Sequence, residues 1–218
     1  FKCENFQKVG AFKMRGALNA ILSLPPEVRQ KGVVTHSSGN FAQAVALSAR
    51  EAGIEARIVM PSNAPRVKVD AVRGYGGKVV FCEPTLVARE SAAALEVDDS
   101  GGTLLHPFDQ DEVIAGQGTV GLELVEQISD LDAVVVPVGG GGLISGIALA
   151  LSELNPLIRV FGAEPMGADD AARSKASGRW VLQEGPDTIA DGLLTSLGER
   201  TWPVIRDKVE AISVVDDE

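Results

Sequence analysis

Four groups of residues in this sequence have types and spacings that could do chemistry. Lys13 stands between Phe12 and Met14 at the start of an apolar helical stretch. Burial disfavours the charged form of an amine and lowers its pKa from about 10.4. A neutral amine attacks an aldehyde to make a Schiff base. The competing reading is a lysine that lays its stem on the protein and keeps its head in water; position alone leaves both open. The second group is Gly139, Gly140, Gly141 and Gly142. It follows the β-branched run Val134, Val135, Val136 and Val138, and it precedes Leu143, Ile144, Ile147, Ala148 and Leu151 at helical spacing. The pattern is buried strand, glycine loop, helix. Its amides converge at a helix N-terminus, where the dipole favours an anion, and phosphate is the best match. A plain tight turn needs only one or two glycines.

The kind of phosphate stays open on these residues. A P-loop requires Lys and then Ser/Thr after the last glycine, and Leu143-Ile144 stands there. G-x-G-x-x-G fails in both registers, because Ile144 and Ser145 occupy the third glycine's place. Glu164 nevertheless ends the next strand where a ribose-binding acid would sit, so a non-catalytic nucleotide-binding α/β module remains a rival. The third group, Ser37-Ser38-Gly39-Asn40, opens another helix after a strand. Its amides could take a carboxylate and its hydroxyls could move protons; Ser and Asn are also ordinary helix caps. The fourth group is Glu164 with Asp169 and Asp170, which could chelate a hard cation or could be a solvated loop capping the next helix.

Composition bounds these readings. The 218 residues carry a net charge of −10 and no basic stripe, which argues against a nucleic-acid partner. No apolar run is long enough to span a bilayer, and there is no signal-peptide pattern. Cys3 and Cys82 are far apart with no C-x-x-C, which suits a reducing compartment, and a cytoplasmic location is expected. With only His36 and His106, a His-rich metal site or a Ser-His-Asp triad is poorly supported.

The elements that must position these groups alternate along the chain. Helices are expected over 12–24, 41–52, 64–74, 85–95 and 118–128, and strands at Val33-Val34, 56–60, 78–82, 103–105 and 159–163. The N-terminus reads as strand-like, and a new helix is expected to begin near the last residues. Hydrophobic rather than alternating strands in repeated β-α-β order imply parallel sheets covered on both faces, with ligands beyond the carboxyl ends of the strands.

Taken together, the motifs resemble the fold-type II pyridoxal-phosphate enzymes, in particular the serine racemase and serine/threonine dehydratase branch. The residues that carry this are Lys2-Cys3-Glu4, Phe6-Gln7-Lys8, Phe12 to Ala17, Thr35 to Asn40, Ile114 to Thr119, Val136-Pro137-Val138 with the four glycines, Ala163-Glu164-Pro165, and Thr188 to Gly192. The match runs in order from end to end.

The resemblance implies an α/β chain with two parallel-sheet, three-layer domains of the tryptophan synthase β-subunit type. Residues 1–31 and 110–218 would form a large cofactor-binding domain and residues 32–109 a small one. Lys13 matches the lysine that holds pyridoxal phosphate covalently. Phe12, Asn40, Gly139, Gly140, Gly141, Gly142 and Leu143 match residues around the cofactor, with the glycines on its phosphate and Asn40 beside its phenolic oxygen. Ser38 matches a catalytic serine on the face opposite the lysine. Ser37, Ser38, Gly39, Asn40 and Arg89 match the substrate's surroundings. Glu164, Ala168 (through its carbonyl) and Asp170 match a site for Mg²⁺, Ca²⁺ or Mn²⁺.

The implied activity is dehydration of serine- or threonine-type β-hydroxy amino acids, with serine racemisation from the same site. A racemase-dominant enzyme and a 3-hydroxyaspartate dehydratase are the variants within the family. A homodimer is implied, and a nucleotide effector such as ATP would involve Lys8, Gln43 and Tyr75, all present here. Phe41 stands where His is common, Phe108 is more dehydratase-like, and Val9 and Ala11 replace small hydroxyl residues. The family's opening helices and closing segment, which supplies the contact to the pyridine nitrogen, lie outside this sequence, so the chain is expected to be truncated at both ends.

Overall fold

A computed structural model describes residues 1–218. By contacts the chain divides into two units, Phe1–Pro107 and Phe108–Glu218. Residues 1–31, expected to go with 110–218, pack here within the first unit, because their helix lies against a helix of that unit.

The first unit contains α1 (Lys13–Ser23), α2 (Pro26–Arg29), β1 (Val33–His36), α3 (Asn40–Glu51), β2 (Ala56–Pro61), α4 (Arg66–Gly74), β3 (Lys78–Cys82), α5 (Leu86–Ser100) and β4 (Thr103–Leu104). Its four strands are all parallel, in the order β3-β2-β1-β4. Val33, Val34, Ile58, Val59 and Met60 are buried, as expected for central parallel strands. Local chemistry sets the helix ends. The Thr85 hydroxyl accepts from Ala88 N (3.1 Å) and caps α5, and Gly101 closes it at φ 68°. Helix α1 is pinned by Met14, whose sulfur accepts from the Ser48 hydroxyl of α3 (3.4 Å), and by a bidentate Arg15–Glu4 pair. That pair folds the N-terminal residues into 3₁₀ turns at Glu4–Phe6 and Lys8–Gly10, where a strand was expected.

The second unit contains α6 (Asp111–Gln127), β5 (Ala133–Pro137), α7 (Gly142–Leu154), β6 (Arg159–Pro165), α8 (Asp170–Ser177), α9 (Thr201–Lys208) and β7 (Ala211–Val215). Its sheet is parallel, in the order β5-β6-β7. Residues 211–215 pair with Phe161–Pro165, and residues 216–218 after them carry no helical turn where a helix was expected to begin. Val120, Leu124, Val136, Val138, Ile144, Ile147, Leu151 and Ile205 form the centre of its core. No helix of the protein is long and apolar enough to cross a membrane.

Helix α6 starts at Asp111, seven residues before the expected start at Gly118. Gly116, Gly118 and Gly121 each weaken an isolated helix by roughly 1 kcal/mol, and three within six residues make this segment a poor helix on propensity alone. Packing overrides that cost. A Cβ on Gly118 would lie 2.9 Å from the Gly146 carbonyl, and one on Gly146 only 2.3 Å from the Ile114 carbonyl. The glycines let α6 and α7 approach backbone to backbone, and the apolar side chains around them each contribute roughly 1.5–3 kcal/mol by burial. Gly146→Ala supplies the check. In an exposed helix this change stabilises by roughly 0.5–1 kcal/mol, but here overpacking against main chain should reverse the sign and cost about 3 kcal/mol. A thermal melt showing a raised midpoint would contradict this packing.

Candidate active site

In the first unit, the site residues gather at the carboxyl end of the sheet. Lys13 is the first residue of α1, and its Nζ donates to the Pro107 carbonyl (2.8 Å), on the chain leaving β4. The same Nζ lies 5.2 Å from the Phe12 ring centroid and 5.8 Å from that of Phe41, the second residue of α3. These rings exclude water and offer only weak cation–π attraction in return. Burial accordingly pulls the Lys13 pKa down from 10.5 to about 8. Because this pKa is lowered, the folded protein bears the cost of a buried charge below pH ~8. That cost is relieved as pH rises from about 8 towards 10.5, where the unfolded lysine still holds its proton. The surface-lysine reading is thereby set aside.

Ser37 and Ser38 follow β1, and Asn40 opens α3. The Ser37 hydroxyl accepts from Gly39 N at a long 3.4 Å. No side chain caps α3, so the helix-cap reading of this segment fails and the first-turn amides are left for another acceptor. Arg89, in the first turns of α5, has a buried Nε with no hydrogen-bond partner. A buried guanidinium N–H without an acceptor is suited to an anion. It acts electrostatically on His36 and Cys82, at the ends of β1 and β3. Burial is the main cause of the lowered His36 pKa, with Arg89 adding to it and Glu90 opposing it. Of the residues tied to an effector, Lys8 pairs with Glu51 (2.7 Å).

In the second unit, Gly139–Gly142 joins β5 to α7 as expected, but the structure gives a different reason for the glycines. A Cβ on Gly140 would lie 2.4 Å from the Phe108 ring, and one on Gly142 3.0 Å from Phe108 backbone and side chain. Gly141, at φ 84°, would meet Thr201 and Ile205 at 2.8–2.9 Å. The protein itself therefore fills the space that the missing side chains leave. The feature that remains for a ligand is electrostatic: α7 has no side-chain cap, and its leading amides, including Leu143, lie at the positive end of a 13-residue helix.

Glu164 ends as neither a ribose acid nor a solvated group. It is 1% exposed, and its two carboxylate oxygens accept from Ala171 N (3.2 Å) and Ala172 N (2.8 Å) at the head of α8. Asp170 is also 1% exposed and accepts from Leu197 N (3.1 Å). Burial raises both carboxyls, Glu164 to about 8; the charges of Asp170 and Asp169 push Glu164 up further, and that of Asp169 adds to the rise at Asp170. Ala168 is buried beside them, while Asp169 is turned to Arg173 (2.7 Å). No cluster of three or more His, Cys, Asp or Glu ligands exists in the chain. A cation here would be held by two carboxylates with carbonyl and water oxygens. Sequence reading missed Pro107, Thr201 and Asp109 as neighbours of these groups. Their partners lie roughly 60–95 residues away in sequence, and no local pattern signals them.

Comparison with known proteins agrees with this geometry. A family model described as pyridoxal-phosphate dependent enzyme matches residues 1–218. The chain is 54% identical over 217 residues to a serine racemase of Oryza sativa subsp. indica, covering 100% of this chain and 64% of that protein. It is 49% identical to a beta-hydroxyaspartate dehydratase of Paracoccus denitrificans, covering 100% of this chain and 69% of that one. The structure of maize serine racemase superposes with a TM-score of 0.97 at 52% identity, covering 100% of this chain and 66% of that one. The sequence thus spans about two thirds of the length of these relatives. It belongs to the family of pyridoxal-phosphate dependent enzymes.

Proposed function

We propose that the full-length protein is a pyridoxal-phosphate dependent dehydratase of serine- or threonine-type β-hydroxy amino acids, with serine racemisation from the same site. The observation that carries this is the buried Lys13 amine, drawn down to about 8. The residues present fit the cofactor. Lys13 would hold it covalently beside Phe12, the amides of Gly139–Gly142 and Leu143 would hold its phosphate, and Asn40 would face its phenolic oxygen. When bound, pyridoxal phosphate supplies an electron sink for a carbanion at the substrate's Cα.

The chain's own residues do the rest. Ser37, Gly39 and Arg89 orient the substrate carboxylate, for which Arg89 offers its unpartnered Nε–H. Lys13 as a free amine takes the α-proton on one face, which an amine with a pKa near 8 does far more readily near neutrality than a surface lysine. Ser38 delivers a proton on the other face, and that gives the opposite enantiomer. Departure of the β-hydroxyl instead leads to a keto acid and ammonia. Racemase and dehydratase thus differ in partition and share their parts, consistent with relatives named for both outcomes. A racemase-dominant partition is the second reading, favoured by the 54% identity to a serine racemase. The same reading implies a small amino-acid substrate, a homodimer, a cytoplasmic setting and, at Lys8, Gln43 and Tyr75, the place for a nucleotide effector such as ATP.

The two buried carboxylates fit a divalent cation such as Mg²⁺, held by Glu164, Asp170 and the Ala168 carbonyl. Such an ion would neutralise charge where α8 meets the end of β6, and its role would be stability, since its ligands lie apart in sequence from Lys13 and the glycine loop.

Two measurements check these assignments. Borohydride treatment of the loaded full-length protein should leave a pyridoxyl label on Lys13 in a peptide map, and L-serine should yield pyruvate together with D-serine. A label on any other lysine, or neither product, would defeat the proposal. Mg²⁺ added to chelator-treated protein should raise the melting temperature by several degrees, and Glu164→Gln should abolish that rise. An equal rise in the variant would remove the cation from this site.

A further inference from the structure

Beneath the glycine loop lies α9, and its anchors come from far along the chain. At its N-terminal end, the Asp109 carboxylate accepts from Glu199 N (3.0 Å), Arg200 N (2.8 Å) and Thr201 N (3.2 Å). A helix N-terminus capped three times by one carboxylate is held in place with unusual firmness. At the other end, Lys175 Nζ donates to the Arg206 carbonyl (2.6 Å). Between these clamps sits Thr201, 0% exposed. Its hydroxyl accepts from Gly198 N (2.8 Å) and has one hydrogen to give. The Gly140 carbonyl at 2.8 Å takes that hydrogen in preference to the Gly198 carbonyl at 3.3 Å.

The Gly140 carbonyl and the Gly141 N–H belong to one planar trans peptide and point in opposite directions. Fixing the oxygen on Thr201 therefore fixes the direction of the Gly141 N–H, at the head of α7. The β5–β6 ladder cannot do this. It ends at Pro137 paired with Ala163, and Val138 N makes a last bond to the Ala163 carbonyl (2.9 Å). Beyond that point the loop is glycine, free to turn unless something holds it.

We propose that Thr201, braced by Asp109, is a positioning residue for the phosphate-holding loop: its hydroxyl sets the Gly140–Gly141 peptide so that the amides at the head of α7 are preorganised for an anion. This rests on the reading that the loop holds the cofactor's phosphate. Thr201 touches neither cofactor nor substrate under that reading, and it acts only through the loop.

The test compares pyridoxal phosphate with pyridoxal, which lacks the phosphate, as ligands of the full-length protein, with affinities read from absorbance titrations. Thr201→Val keeps the shape and removes the hydroxyl. It should weaken pyridoxal phosphate about five- to tenfold, the worth of one hydrogen bond, while leaving pyridoxal unchanged. Thr201→Ser should restore the wild-type ratio. A Thr201→Val ratio equal to wild type, or equal losses for both ligands, would overturn the proposal, since a merely structural role weakens both. If Thr201→Val does not fold, the ratio in Asp109→Asn decides by the same criterion. Failure of the underlying reading shows separately, as a wild-type protein that binds pyridoxal phosphate no more tightly than pyridoxal.

Discussion

An amine kept from water holds its proton poorly, and the functional account depends on that constraint at Lys13. The Phe12 and Phe41 rings and the Pro107 main-chain carbonyl lie around it. A carboxylate in their place would have stabilised the charge and kept the amine inert. The Pro107 carbonyl, a neutral acceptor, orients the amine without adding a charge that would hold it ionised. Helix α1 supplies the rigidity, through the Arg15–Glu4 pair on one side and the Met14–Ser48 contact on the other.

Under the proposed function the second unit solves a different problem, the presentation of main-chain amides to an anion. Glycine runs are usually read as room for a ligand. Here the room is taken by Phe108, Thr201 and Ile205, so the glycines are required by the protein's own packing. The consequence for function is preorganisation. A loop with no side chains would wander, and this one is pressed on by an aromatic ring and hooked by a buried hydroxyl. The same economy of space appears between α6 and α7, where Gly118 and Gly146 bring two helices into main-chain contact. The buried carboxylates Glu164 and Asp170 belong to this unit as well. Backbone N–H groups satisfy part of their demand, and burial keeps both reluctant to ionise.

Much of this was legible in the sequence where the signal is local. The strand–glycine–helix pattern at 133–151, the alternation of strands and helices, and the lysine at the start of an apolar helix are short-range features, and the structure has each of them. Family resemblance then joined motifs that periodicity could not connect. Three things were not legible, for a common reason. The early start of α6 is hidden because Gly116 interrupts its first turns and lowers their helix propensity. The strand Ala211–Val215 looks like the approach to a helix until β6 is beside it. Pro107, Asp109 and Thr201 act on groups far along the chain through a backbone carbonyl, a cap and a hydroxyl, none of which leaves a pattern in neighbouring residues. Long-range hydrogen bonds to main chain are the class of interaction that sequence reading misses here.

The central claim is that burial makes the Lys13 amine neutral within reach of physiological pH. The most direct measurement is an NMR titration of the full-length, cofactor-free protein carrying ¹³C-labelled lysine, with the Lys13 resonance assigned by its loss in Lys13→Met. The account predicts a midpoint near 8 for Lys13, well below the other lysines. A midpoint at the ordinary lysine value of about 10.4 would contradict it.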